Sequence, residues 1–212
     1  MTESQLREQV CLLGRALYDR GYTHGSTGNL SVRCDDGWLL TPTNSCLGRL
    51  DPARLSKMSW DGKLISGDQP SKESFFHLAV YQERSKLSAV VHLHSTYSVA
   101  VSVLPSVNPD EVLPPLTAYY VMRIGNLKLL PYYKPGGKTL AAAVGSAAMS
   151  HHALWLANVG PIVAGTTLDA AVDAVEELEQ TAKLYLLLRG EHPRILTVEQ
   201  VEELRAAFPP PG

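Results

Sequence analysis

Two histidines close a short apolar run, Ala89-Val90-Val91-His92-Leu93-His94. On a strand, residues two apart point to the same face, so these two imidazoles can grip one cation between them. Two histidines hydrogen-bonded at a strand end would satisfy the same spacing. The end of a buried apolar run is a costly place for polar rings without partners, which favours the cation. Glu73 is the second candidate. It stands in Pro70-Ser71-Lys72-Glu73-Ser74, where a helix should begin. Acidic residues in a first helical turn commonly complement the helix dipole. The alternative is a carboxylate aimed into a site beside the helix start, where it serves as general acid or base.

Three small polar segments form a third signal: Ser26-Thr27-Gly28-Asn29, Thr41-Pro42-Thr43-Asn44-Ser45 and Ser71-Lys72. Backbone amides exposed by glycine turns, hydroxyls and a helix N-terminus together suit a phosphate. None has dinucleotide or P-loop spacing, and each alone reads as a turn. Lys72 is either a solvated lysine or a cation for an anionic substrate group. Tyr119 and Tyr120 read as core or interface aromatics whose hydroxyl can also donate a proton. His151 and His152 read as helix-end residues, and His77 and His192 as structural.

The elements that must carry these groups alternate. Thr2 and Gln5 have capping-box spacing ahead of Leu6, Val10, Leu13 and Leu17, a helix that should stop at Gly21. Strands are expected over Leu30–Arg33 and Trp38–Thr41, turned by Asp35-Asp36-Gly37. A second hairpin joins Lys57–Trp60 to Lys63–Ile65. A helix over Ser74–Arg84 precedes the strand Ala89–Leu93, and another follows over Thr96–Leu104. Leu127–Tyr133 reads as a strand, Lys138–Met149 as a helix, and Leu154–Ala157 with Ile162–Ala164 as paired strands. Asp169–Leu188 is a long helix closed by Gly190, and Thr197 with Gln200 opens a last one. Tight hairpins among interleaved helices predict a mixed or antiparallel sheet covered by helices, not a doubly wound parallel one.

The 212 residues suffice for one sizeable core, so a single domain over 1–212 is expected. With 45% apolar and 19% charged residues the chain has globular composition, and a net charge of -2 argues against a nucleic-acid surface. No apolar run reaches the ~20 residues of a membrane span. The polar start has no signal-peptide pattern. Cys11, Cys34 and Cys46 fit no metal-site spacing and read as thiols of a reducing compartment, the cytoplasm. Pro209–Pro211 should form a frayed tail.

Taken together, Gly28-Asn29-Leu30-Ser31, Thr41-Pro42-Thr43, Pro70-Ser71-Lys72-Glu73, Val90-Val91-His92-Leu93-His94-Ser95 and Leu156-Ala157-Asn158 with Gly160-Pro161 resemble the class II aldolase/adducin family. The order and spacing hold from about residue 5 to 190. Gly21–Ser26, Pro114–Tyr120 and His151–Leu154 resemble its 3-oxo-tetronate 4-phosphate decarboxylase branch in particular. The resemblance implies a three-layer α/β/α fold around a largely antiparallel sheet. It implies a homotetramer with active sites at subunit interfaces, acting on a small phosphorylated sugar or sugar acid. A divalent metal, zinc or alternatively manganese, would sit on His92 and His94, and Glu73 would be the acid/base. Gly28, Asn29, Thr43, Asn44, Ser71 and Lys72 would bind the phosphate. A tyrosine from an adjacent subunit, matched here by Tyr120, would donate a proton. Sugar-phosphate aldolases and epimerases share the scaffold, and adducin-like members are binding proteins. One position departs from the family pattern. Its third histidine ligand lies in an Asn-His-Gly segment, which here is Asn158-Val159-Gly160.

Overall fold

The computed structural model describes residues 1–209, so Pro210 and Pro211 of the expected tail lie outside the described residues. β1 (Asn29–Cys34) turns through Asp35 and Asp36 into β2 (Gly37–Leu40), and β3 (Ser56–Met58) turns into β4 (Leu64–Ser66). β5 (Ala89–His92), β6 (Leu127–Leu130), β7 (Ala153–Leu156) and β8 (Gly160–Gly165) complete one sheet in the order β4-β3-β2-β1-β5-β8-β7-β6. All pairings are antiparallel except β6 with β7, which run parallel. β6 is shorter than the sequence pattern suggests. It ends at Leu130 because Pro131 has no N–H to continue the ladder.

Alternation along the strands feeds two cores, one on each face. Trp38, Leu40, Val90, Leu154 and Ile162 pack under α2 (Ser74–Glu83) and α5 (Lys138–Ala148). Leu30, Val32, Leu39, Val91 and Val163 pack under α1 (Glu3–Asp19), α3 (Thr96–Ser102), α4 (Ala118–Arg123) and α6 (Leu168–Leu187). The expected three-layer α/β/α architecture with a largely antiparallel sheet is therefore present. α1 and α7 (Val198–Ala207) both begin with complete capping boxes, Thr2 with Gln5 and Thr197 with Gln200. α4 is not apparent in the sequence pattern. It is six residues long, too short to display a helical period.

α3 begins two residues after His94, and a residue distant in sequence fixes its start. The buried Glu179 carboxylate of α6 accepts the Tyr97 and Ser98 backbone N–H groups, both at 2.8 Å, and the Ser98 hydroxyl at 2.7 Å. An anion at a helix N-terminus is stabilised by the helix dipole as well as by these bonds. α6 is thereby clamped to the segment that follows the histidine pair.

Candidate metal centre

β5 delivers His92 at its last residue, wholly buried, with Asn29 of β1 opposite it. The His92 Nδ1 lies 2.7 Å from the Pro161 carbonyl. A carbonyl only accepts, so Nδ1 carries the proton and Nε2 presents its lone pair. That lone pair faces His94 Nε2 at 3.1 Å and Glu73 Oε2 at 3.5 Å. Two ligands ~2.1 Å from one zinc-like ion at a tetrahedral angle stand about 3.4 Å apart, so the spacing fits a shared cation. The three ligand atoms all lie within 4.8 Å of one another, the one such group among the described residues. Burial, with His92 and His24 adding to it against the pull of Glu73, pushes the His94 imidazolium down to about 4. Its ring is neutral near pH 7, with a nitrogen lone pair available to a metal.

Glu73 occupies the N-cap position of α2 but makes no capping bond with its side chain. The carboxylate turns away from the helix and accepts from Asn29 Nδ2 at 2.7 Å. The helix-cap reading of Glu73 is thereby answered by geometry.

Two glycines hold the ligand-bearing segment from opposite sides. A Cβ on Gly28 (φ +78°) would lie 2.9 Å from the His92 carbonyl oxygen. One on Gly160 (φ +140°) would lie 2.2 Å from the Leu93 carbonyl oxygen. Both positions combine a left-handed backbone with no room for a side chain.

The phosphate candidates divide. Gly25, Ser26, Thr43, Asn44 and Ser45 line one open cleft of about 480 Å³, with Arg49 on its wall. Arg49 was not singled out in the sequence, where it stands in an unremarkable Leu-Gly-Arg turn. The Thr43 N–H is tied to the Gln69 carbonyl and the Ser71 N–H to the Thr41 carbonyl, so the Ser71-Lys72 segment adjoins the same loop. The Ser71 hydroxyl oxygen accepts from the Glu73 N–H and from Asn29 Nδ2, both at 3.2 Å, which leaves its own proton to donate. Lys72 is exposed beside it. Asn29 is placed differently from expectation. Both protons of its amide are engaged, on Ser71 and Glu73, so its side chain has none to offer a phosphate.

Tyr120 is not brought to this cluster. Its ring is 4% exposed, packed in its own subunit's core with Val121 and Ile124, and burial holds its hydroxyl protonated far above neutrality. Within one subunit Tyr120 lies on the wall of a separate cleft, with Leu113, Asn126 and Arg205. The adjacent Tyr119 is the accessible one, at 57%. His152 is no substitute ligand either. Its two ring nitrogens sit 3.1 Å from the Ala164 carbonyl and 3.0 Å from the Ile124 carbonyl.

Residues 8–186 match the family described as Class II Aldolase and Adducin N-terminal domain. The chain belongs to the class II aldolase/adducin family. Within it, the chain is 49% identical over 205 residues to the 3-oxo-tetronate 4-phosphate decarboxylase of Escherichia coli, covering 96% of this chain and 97% of that protein. It is 36% identical over 182 residues to the L-fuculose phosphate aldolase of Methanocaldococcus jannaschii, covering 85% and 96% respectively. Among solved structures, YgbL from Escherichia coli superposes with a TM-score of 0.94 at 48% identity, over 96% of this chain and 99% of that one.

The class II aldolase/adducin pattern makes Val159 conspicuous. It lies between Asn158 (φ +65°) and Gly160 in the turn from β7 to β8, packed in the same core as Phe76, Leu156 and Ile162. The backbone turn survives while the side chain cannot ligate. Val159→His should therefore add an imidazole to the two histidines and Glu73 and tighten divalent-metal binding tenfold or more, at least ~1.4 kcal/mol. Parallel metal titrations of the two proteins check this. Equal affinities would mean that the turn does not aim residue 159 at the ion.

Proposed function

We propose that the protein is a carbon–carbon lyase that decarboxylates 3-oxo-tetronate 4-phosphate to dihydroxyacetone phosphate and CO2. The observation that carries this reading is the Glu73, His92 and His94 cluster beside hydroxyl- and amide-lined loops, in a chain 49% identical to a decarboxylase of that name. The cofactor is a divalent metal, zinc or alternatively manganese, held by His92 and His94 with Glu73 in reach. When bound, such a cation supplies Lewis acidity that offsets negative charge building on the substrate's oxygens.

The chain's own groups do the rest. Gly28, Thr43, Asn44, Ser71 and Lys72 hold the phosphate through N–H, O–H and ammonium donors, and so fix the substrate's far end. In this β-keto acid the electrons of the C1–C2 bond move toward the C3 carbonyl as C1 departs as CO2. The product then needs one proton on C2, and Glu73, once it has taken a proton from solvent, is the group placed to deliver it. Lys72 offers a cation for a substrate anion. The protein works in the cytoplasm as a homotetramer; its three thiols are all free, in keeping with a reducing compartment. Among the described residues no helix is long and apolar enough to cross a membrane.

The test is a substrate panel. CO2 release from 3-oxo-tetronate 4-phosphate, with weak or no cleavage of neutral ketose phosphates, is the expected result. Faster aldehyde release from fuculose phosphate or ribulose phosphate would move the assignment to a sugar-phosphate aldolase, the reading favoured by the 36% identity to such an enzyme. An adducin-like binding role predicts neither. Its main support was Val159, and three ligating groups remain without it.

A further inference from the structure

His77 reads in the sequence as a structural histidine within a helix. It lies at the middle of a buried polar chain that ends on Glu73. His77 and Tyr81 are four apart and share one stripe of α2, with Glu73 at its N-cap four residues before His77, while Asn29 and Ser31 are two apart and share one face of β1. The two rows meet. Tyr81 Oη lies 2.7 Å from Ser31 Oγ, and Ser31 Oγ 2.7 Å from His77 Nδ1. His77 Nε2 lies 2.5 Å from Asn29 Oδ1, and Asn29 Nδ2 2.7 Å from Glu73 Oε2. Asn29, Ser31, His77 and Tyr81 are all buried.

The direction of every bond follows from the last one. An ionised carboxylate only accepts, so Asn29 turns its NH2 to Glu73 and its carbonyl to His77. His77 Nε2 must then carry the proton. Burial holds the His77 imidazolium well below its ordinary range, so the ring is neutral and Nδ1 is an acceptor. Nδ1 takes the Ser31 proton, and Ser31 Oγ takes the Tyr81 proton, which burial keeps in place. Each group donates toward Glu73. His77 cannot easily escape this role, since its ring is stacked on Phe76 at 4.8 Å and lies parallel to Trp38 at 6.5 Å.

We propose that His77 is a positioning residue whose Nε2–H locks the Asn29 amide so that its NH2, and not its carbonyl, meets Glu73. With the amide turned over, the Asn29 oxygen would face the carboxylate and repel it from its place beside His92. The consequence for turnover rests on the catalytic reading above; the hydrogen-bond direction does not.

Two measurements test it. With histidine ring nitrogens labelled with 15N, long-range 15N–1H spectra of the wild-type protein should show His77 as the neutral Nε2–H tautomer, assigned by its absence from His77→Gln. In kinetics, His77→Leu should lower kcat by about 10-fold or more with KM little changed and metal content kept, the scale of a lost partner behind a site. His77→Gln, which can still donate an N–H to Asn29, should recover most of it. A role confined to packing would lower the melting temperature of both variants without this split. A neutral Nδ1–H tautomer, with no proton on Nε2, overturns the proposal, as does kcat equal to wild type in a folded His77→Leu. If wild-type protein releases no CO2, the decarboxylase reading fails, and the tautomer still decides this inference.

Discussion

Replacing His94 with alanine should strip the divalent ion from the protein and take turnover to background. The site has two imidazoles and one carboxylate within reach of a common ion, and among the described residues no other histidine, cysteine or carboxylate joins that group. Losing even a partner behind a ligand costs about 10–100-fold in metal affinity or activity, so losing a ligand should exceed that. His94 is the better choice for the experiment than His92. His92 is wholly buried, anchored to Pro161 and packed edge-on against Phe76 at 5.3 Å, so its removal would also open a cavity. His94 is only partly buried. Elemental analysis of protein purified without chelator and resupplied with zinc or manganese gives the answer. Stoichiometric metal in His94→Ala would remove the histidine pair from the centre of the proposal.

Glu73→Gln should fold and retain substrate binding while turnover falls by ~10²-fold or more, the scale of a lost general acid or base. The amide is nearly isosteric with the carboxylate. Its oxygen can still accept from Asn29, so the hydrogen-bonded arrangement on that side is preserved. What it cannot do is take up and release a proton. Steady-state kinetics with metal in excess separate this loss from any weakening of metal binding. Wild-type kcat in that variant would leave Glu73 with a purely structural part.

Much of this was legible in the sequence because it depends on local spacing. The hairpin at Asp35-Asp36, the capping boxes and the shared face of His92 and His94 each need only a few adjacent residues. Those features reappear within a residue or two of where the pattern places them. What was not legible depends on separation in sequence. The partners of His77 are 46 and 48 residues away, so the helix pattern alone makes it an ordinary interior histidine. Asn29 looked like a phosphate ligand because its neighbours are turn residues, and only the approach of α2 shows where its amide goes. Between the adjacent tyrosines Tyr119 and Tyr120, sequence could not say which is buried, since the helix that decides it is too short to announce itself. The missing ligand at Val159 was visible at once, and Glu73 was open between a helix cap and a carboxylate aimed into a site, a choice that only its contact with Asn29 and the histidines decides.

The glycines at 28 and 160 bear on how the protein gains and loses its ion. With backbone carbonyls of residues 92 and 93 pressed against positions that admit no side chain, the ligand segment has little freedom to relax when empty. A segment held this tightly should lose little conformational entropy on capturing an ion, so loading should be fast and reversible under a chelator. Metal would then raise the unfolding midpoint purely by mass action, following free ion concentration over its dissociation constant.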